Sequence, residues 1–175
     1  MLQAQAPGLP PATTGDITPE PVREGIDLLV NGERFRHTGD PLMPLLWYLR
    51  DVLRLTGTKP GGAHGEGGYD LVLVEGKAVS AATRTMAKLA GKHVTTVEGL
   101  AGADGRLHPL QQAFIDEDAI GCGYCTPGWL IAGVDLLTRK PHPSDEDIDQ
   151  LPNVCRCGCQ TRVRRAIKRA AGVHA

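Results

Sequence analysis

The residues in this chain best suited to chemistry are its five cysteines, all in the last third of the sequence. They stand as Cys122-Gly123-Tyr124-Cys125 and as Cys155-Arg156-Cys157-Gly158-Cys159. Thiolates are soft ligands, and a C-x-x-C followed by a C-x-C-x-C brings four of them to one place. That donor set binds zinc or an iron–sulfur cluster. A secreted disulfide framework fits poorly, because the number is odd and no cysteine precedes Cys122. Structural zinc sites with four thiolates usually pair two C-x-x-C knuckles. The tighter C-x-C therefore favours iron and sulfur, with zinc as the competing reading.

The elements that must position these thiolates follow from local pattern. Cys125 sits just before Thr126, which can cap a helix with Pro127 at its first position, running to about Arg139. Cys155, Cys157 and Cys159 sit just before another helix, Thr161 to Ala171. Both cysteine runs thus lie at helix N-termini, where free N–H groups and the macrodipole favour negative charge. Two more helices are expected, Leu107 to Asp118 and one opened by Ser144 with acidic residues in its first turn. Upstream, Ile26–Val30 reads as a strand, Asn31-Gly32 as a hairpin turn and Glu33–Arg36 as the return strand. Asp40-Pro41 reads as the start of a helix over 42–55, with Leu45, Leu46, Leu49 and Leu53 on its core face. A loop with six glycines spans 57–68. Leu71–Val74 and Lys77–Ser80 then form a second hairpin around Glu75-Gly76. The expected class is α+β: a β-grasp domain followed by a four-helix bundle, with the boundary between Gly91 and Gly105.

Composition narrows the rest. The chain has 175 residues and a formal net charge of −1, so nothing points to nucleic acid or an anionic membrane surface. No apolar run approaches the roughly 18 residues of a membrane span. Residues 1–24, rich in Pro, Ala and Thr, lack the basic and apolar regions of a secretory signal and read as a disordered arm.

Cys122-Gly-Tyr-Cys-Thr-Pro-Gly128 and Asn153-Val-Cys-Arg-Cys-Gly158 resemble the second-cluster motifs of the small iron–sulfur subunits of the xanthine dehydrogenase family. These are the molybdenum hydroxylases, including isoquinoline 1-oxidoreductase and aldehyde oxidoreductases. The likeness runs from about Ile26 to Ala171. It includes Leu45-Leu-Trp-Tyr-Leu-Arg-Asp51, Leu55-Thr-Gly-Thr-Lys59, Val94-Thr-Thr-Val-Glu-Gly99 and His108-Pro-Leu-Gln-Gln-Ala-Phe114. The resemblance implies a ferredoxin-like β-grasp domain over 25–98 and a helical [2Fe-2S]-binding domain over 99–175. It implies Cys122, Cys125, Cys155 and Cys157 as the ligands of one [2Fe-2S] cluster.

The chain also departs from the family pattern. The ferredoxin-like domain of the family holds its own cluster on four cysteines. Aligning Gly57–Lys59 and Val72–Gly76 puts Gly62, Gly67, Asp70 and Ala82 at those positions. A four-thiolate cluster cannot form there. His64, Glu66 and Asp70 remain in the loop and are expected to be solvated side chains, with a hard cation as the sharper alternative. A phosphate-loop reading fails, because Lys59 precedes the glycines and no G-K-[ST] is present. Gly121 stands where the family commonly has a glutamine that contacts the pterin. Cys159 is not a family ligand, and reads as a partly buried free thiol or as an alternative to Cys157.

The resemblance implies an electron-transfer subunit with no catalytic residue of its own. It would relay electrons from molybdenum in a molybdopterin-binding large subunit to a further carrier: a cytochrome c, a flavin or a second iron–sulfur subunit. The alternatives are a zinc-stabilised interaction module and a degenerate subunit that only scaffolds the complex. Cluster insertion implies assembly in the cytoplasm; co-export to the periplasm with a signal-bearing partner is compatible with it.

Overall fold

The computed structural model describes residues 25–102 and 104–172, so the arm expected over 1–24 lies outside the described residues. Strands β1 (Ile26–Val30) and β2 (Glu33–His37) form an antiparallel hairpin. Its turn has Asn31 at φ 53° and Gly32 at φ 83°, the paired positive φ that makes Asn-Gly the preferred two-residue turn. Asn31 also bonds a residue distant in sequence but adjacent in the sheet: its Oδ1 accepts from Thr96 N (2.9 Å) and its Nδ2 donates to Thr96 Oγ1 (3.0 Å).

The helix expected over 42–55 is shorter. Helix α1 covers only Leu45–Trp47, and a wide π-helical turn carries the chain through Tyr48–Val52. The cause is a second proline. Pro44 pushes Met43 out of the helical region, so the helix cannot begin until Pro44 has passed. Asp40 still caps locally, with Oδ1 accepting from Leu42 N at 2.9 Å. Strands β3 (Leu71–Val74) and β4 (Lys77–Ser80) form the second hairpin as expected. A further strand, β5 (His93–Thr95), escapes sequence reading because only three residues form it and only Val94 is buried. It lies at the centre of a five-stranded sheet of order β2-β1-β5-β3-β4, parallel to β1 and antiparallel to β3.

Helix α2 (Pro109–Asp116) starts later than Leu107 because His108 caps it. His108 Nδ1 accepts from Leu110 N, and Gln111 Oε1 accepts from His108 N. Helices α3 (Thr126–Arg139), α4 (Asp145–Asp149) and α5 (Gln160–Ala170) follow. Ser144 and Asp147 form the expected reciprocal cap of α4. The cap of α3 differs from expectation: Cys125 takes the capping position, and Thr126 is the first helical residue.

β3 explains how the halves meet. Its run Leu71-Val-Leu-Val74 is apolar on both faces because both faces are covered. Val72 points into a core with Leu28, Val30, Leu45, Leu49, Met86 and Val94. Leu71 and Leu73 point the other way, onto Ile131 and Ala132 of α3. A second core of Leu110, Phe114, Trp129, Leu136, Ile148, Val163 and Ile167 joins α2 to α5, and Cys125, Cys155 and Cys159 are part of it. The basic residues of α5 pair with acids on its neighbours, as in Arg165–Glu117 and Arg164–Asp149. Such exposed pairs are worth about 0–1 kcal/mol each, so α5 is held chiefly by its buried Val163, Ala166 and Ile167.

Asp70 departs from expectation. His64 and Glu66 are exposed, and Glu66 Oε2 accepts from His64 N at 3.0 Å. Asp70 is fully buried. Its Oδ2 accepts from Ser80 Oγ (2.5 Å) and from Ala82 N (2.9 Å), binding the loop to the end of β4. Asp70 and Ala82 are two of the positions that the resemblance gives to cluster cysteines, and here the Asp70 carboxylate joins them directly. Asp70→Ala leaves two half-buried donors, Ser80 Oγ and Ala82 N, without their partner. Urea unfolding of the variant should show a loss of about 2 kcal/mol, with Asp70→Asn, which keeps an acceptor oxygen, losing less.

Candidate metal centre

The two cysteine runs meet at the ends of α3 and α5. Cys125 occupies the capping position of α3 and Cys159 that of α5. Gly123 (φ 83°) and Gly158 (φ 75°) turn the two runs through left-handed backbone. Neither has any atom within 4 Å of where a side chain would begin, so it is the turn and not crowding that calls for glycine.

Four of the sulfurs pair across the runs. Cys122 meets Cys157, and Cys125 meets Cys155. Cys122 and Cys157 are exposed; Cys125 and Cys155 are buried. Backbone N–H groups point at the sulfurs. Cys122 N donates to Cys157 Sγ (3.4 Å) and Cys159 N donates to Cys155 Sγ (3.4 Å). The N–H of Tyr124 bonds the Cys122 sulfur, and with the Cys157 thiol it holds Cys122 below its ordinary value. Burial, followed by contact with Cys155, pushes the Cys125 thiol up to about 12. Burial would also raise Cys155, but the N–H of Cys159 and the Cys125 thiol outweigh it and leave Cys155 lowered. In each cross-pair, then, one thiol lies below its ordinary value and its partner above it: Cys122 against Cys157, and Cys155 against Cys125. A metal's positive charge is what would ionise both.

This arrangement fits a two-iron centre. Two cross-run sulfur pairs, Cys122 with Cys157 and Cys125 with Cys155, with backbone N–H groups donating to Cys157 and Cys155, suit a cluster in which each of two irons takes two thiolates.

The centre is braced by the sheet half. Tyr124 Oη donates to Pro60 O (2.6 Å), and the Tyr124 and Tyr69 rings meet edge-to-face at 5.5 Å. Asn153, two residues before Cys155, donates from Nδ2 to Gly68 O (2.7 Å) and is buried. Val154 N donates to Gly67 O at 3.1 Å. The glycine-rich loop, which holds no cysteine, thus forms one wall of the cysteine site. Sequence reading places Asn153 in a motif but gives it no task. Its partner lies 85 residues away, and no local signal joins them. Ile120, Tyr124 and Val154 are exposed around the accessible Cys122 and Cys157, giving the open side an apolar rim.

Comparison with known proteins adds to this geometry. Residues 96–168 match the family described as "[2Fe-2S] binding domain". The chain is 44% identical over 148 residues to a nicotinate dehydrogenase subunit of Pseudomonas putida, covering 83% of this chain and 94% of that one. It is 40% identical over 149 residues to the alpha subunit of isoquinoline 1-oxidoreductase from Brevundimonas diminuta, covering 83% and 97%. Among solved structures it resembles quinoline 2-oxidoreductase from Pseudomonas putida, with a TM-score of 0.76 at 31% identity over 87% of this chain and 98% of that one. It also resembles the aldehyde oxidoreductase of Desulfovibrio desulfuricans, with a TM-score of 0.79 at 37% identity over 85% of this chain and 17% of that longer one.

Proposed function

Because the chain belongs to the family of small iron–sulfur subunits of the molybdenum hydroxylases, in which it is an electron-transfer subunit with one [2Fe-2S] cluster, we propose that Cys122, Cys125, Cys155 and Cys157 are the ligands of that cluster. The observation that carries this assignment is the convergence of the two cysteine runs at the N-termini of α3 and α5, where Cys122 N donates across to Cys157 Sγ at 3.4 Å. When bound, the cluster supplies one-electron redox capacity. The chain's own residues hold the sulfurs, turn N–H donors towards them and exclude water from the inner pair. Donors aimed at sulfur stabilise the more negative, reduced state and raise the potential. No residue here makes or breaks a substrate bond.

We assign residues 25–98 to a β-grasp domain without a cluster and 99–175 to the cluster-binding helical domain, with α2, α3, α4 and α5 as its bundle. A large subunit carrying the molybdopterin is the partner that the family implies. The apolar rim around Cys122 and Cys157 supports that face as the side turned to it. Gly121 cannot offer the side-chain hydrogen bond that the resemblance gives to glutamine. With no cysteine before Cys122, electrons leave through a further carrier, a cytochrome, a flavin or another iron–sulfur protein. Assembly is assigned to a reducing compartment, which keeps the thiols free. Among the described residues, no helix is long and apolar enough to cross a membrane.

The test is metal content. The complex purified with its partners should contain about two iron and two acid-labile sulfide per copy of this chain. Dithionite should produce a single EPR signal from it. Zinc without iron would discard electron transfer and leave a structural module. Four iron would require ligands outside these four cysteines.

A further inference from the structure

Two residues that set this chain apart from its family sit against each other. A side chain started at Gly121 would lie 2.7 Å from Cys157 Cβ, 3.0 Å from Cys157 Sγ and 3.1 Å from Cys159 Sγ. The volume beside Gly121 is therefore occupied by two sulfurs. Cys159 is 1% exposed, so its thiol is sealed inside the protein next to the proposed ligands. It is tied to them from both directions. Its own N–H donates to Cys155 Sγ at 3.4 Å, and Arg162 Nη2 donates to Cys159 Sγ at 3.5 Å. The Cys159 thiol also bonds the Cys155 sulfur. Arg162 is a half-exposed cation, held from its other side by Asp118.

We propose that Cys159 is a positioning residue for the cluster: filling the space that Gly121 vacates, it fixes Cys155 and Cys157 and passes the field of the Arg162 guanidinium inward to the Cys155 sulfur, holding the reduction potential higher than the four ligands alone would set it. This rests on the cluster assignment above. The physical argument concerns charge. Reduction adds an electron to a centre already negative, and a hydrogen-bond chain ending in a guanidinium favours the more negative state. Burial strengthens the effect, because a sulfur at 1% exposure has no water to screen it. A merely space-filling residue at 159 would support the fold and leave the potential alone.

The experiment is an EPR-monitored reductive titration of the purified complex. Wild type is compared with Cys159→Ala, Cys159→Ser and Arg162→Gln. The expected result is about two iron per copy of this chain in all four. The potential should shift to more negative values in Cys159→Ala and in Arg162→Gln. The shift should be smaller in Cys159→Ser, whose hydroxyl can still donate. Arg162→Gln keeps the thiol and its packing, so it separates electrostatics from a folding defect. Unchanged potentials in both Cys159→Ala and Arg162→Gln would overturn the proposal. Loss of iron in Cys159→Ala, from a wild type that holds two, would also overturn it by making Cys159 a ligand. Absence of iron from wild type itself would instead strike the cluster assignment, so the two failures are distinguishable.

Discussion

Replacing Cys125 with serine is expected to empty the centre. In the purified complex, iron and sulfide should fall from about two each to near zero per copy of this chain. The thiolate charge-transfer absorbance in the visible should vanish, and substrate-dependent reduction of a one-electron acceptor should drop more than about 100-fold. Cys125 is a sharper choice than Cys122. It is buried beside Cys155, where no solvent ligand can enter to replace it, whereas Cys122 is exposed. Serine offers a hydroxyl far harder to ionise than a thiol, in a place where burial already raises the thiol to about 12. Molybdopterin content of the partner should not change, which separates loss of the relay from loss of the complex. If acceptor turnover survived with iron gone, the chain would be a scaffold and electrons would leave by another path.

The second large effect concerns a position with no chemistry. Gly128 lies in the first turn of α3, and a Cβ there would fall 1.9 Å from the backbone oxygen of Gly68 and 3.0 Å from Asn153 Nδ2. In a free helix, Gly→Ala gains up to about 1 kcal/mol. Here the obstacle is backbone and cannot rotate away, so the clash should win. Gly128→Ala should lose about 2–3 kcal/mol in urea unfolding of the metal-free chain. It should also bind iron less completely, since the Asn153–Gly68 bond beside Cys155 must break. Gly133→Ala is the control. It lies in the same helix, and its Cβ would meet the flexible tip of Leu110, at 2.7 Å from Cδ2. Helix propensity there should roughly offset the adjustment, giving a change within about 1 kcal/mol. Equal losses at both positions would show that α3 tolerates no added methyl anywhere, and that the contact with Gly68 is not special.

What can be read from the chain alone is whatever is encoded locally. The four cysteines and their helix N-termini are contiguous motifs, and both hairpins announce themselves through a positive-φ turn preceded by alternating or apolar residues. The Ser144 cap and the Leu-rich face of 45–49 are local in the same way. The differences arise where distant or competing residues decide. Pro44 cuts short a helix whose leucine spacing looks complete from residue 42. β5 exists because β1 and β3 flank it, and three residues carry too little pattern to reveal that. Asp70 looks like a solvated loop acid until Ser80 and Ala82, from the next hairpin, close over it. The wall behind the cysteines, made by Gly67, Gly68 and Pro60, is invisible to any reading that treats the glycine-rich loop as an empty relic.

That wall has a thermodynamic consequence. Asn153 and Tyr124 bond the loop from within the two cysteine runs, so whatever organises those runs also organises the loop. Free energy released on metal insertion is then shared with a stretch of chain that touches no metal. By linkage, the unfolding midpoint of the sheet half should climb with iron occupancy, and protection of the Gly67 to Tyr69 amides against hydrogen exchange should climb with it. A segment that cannot hold a cluster of its own thereby becomes a reporter on its neighbour's.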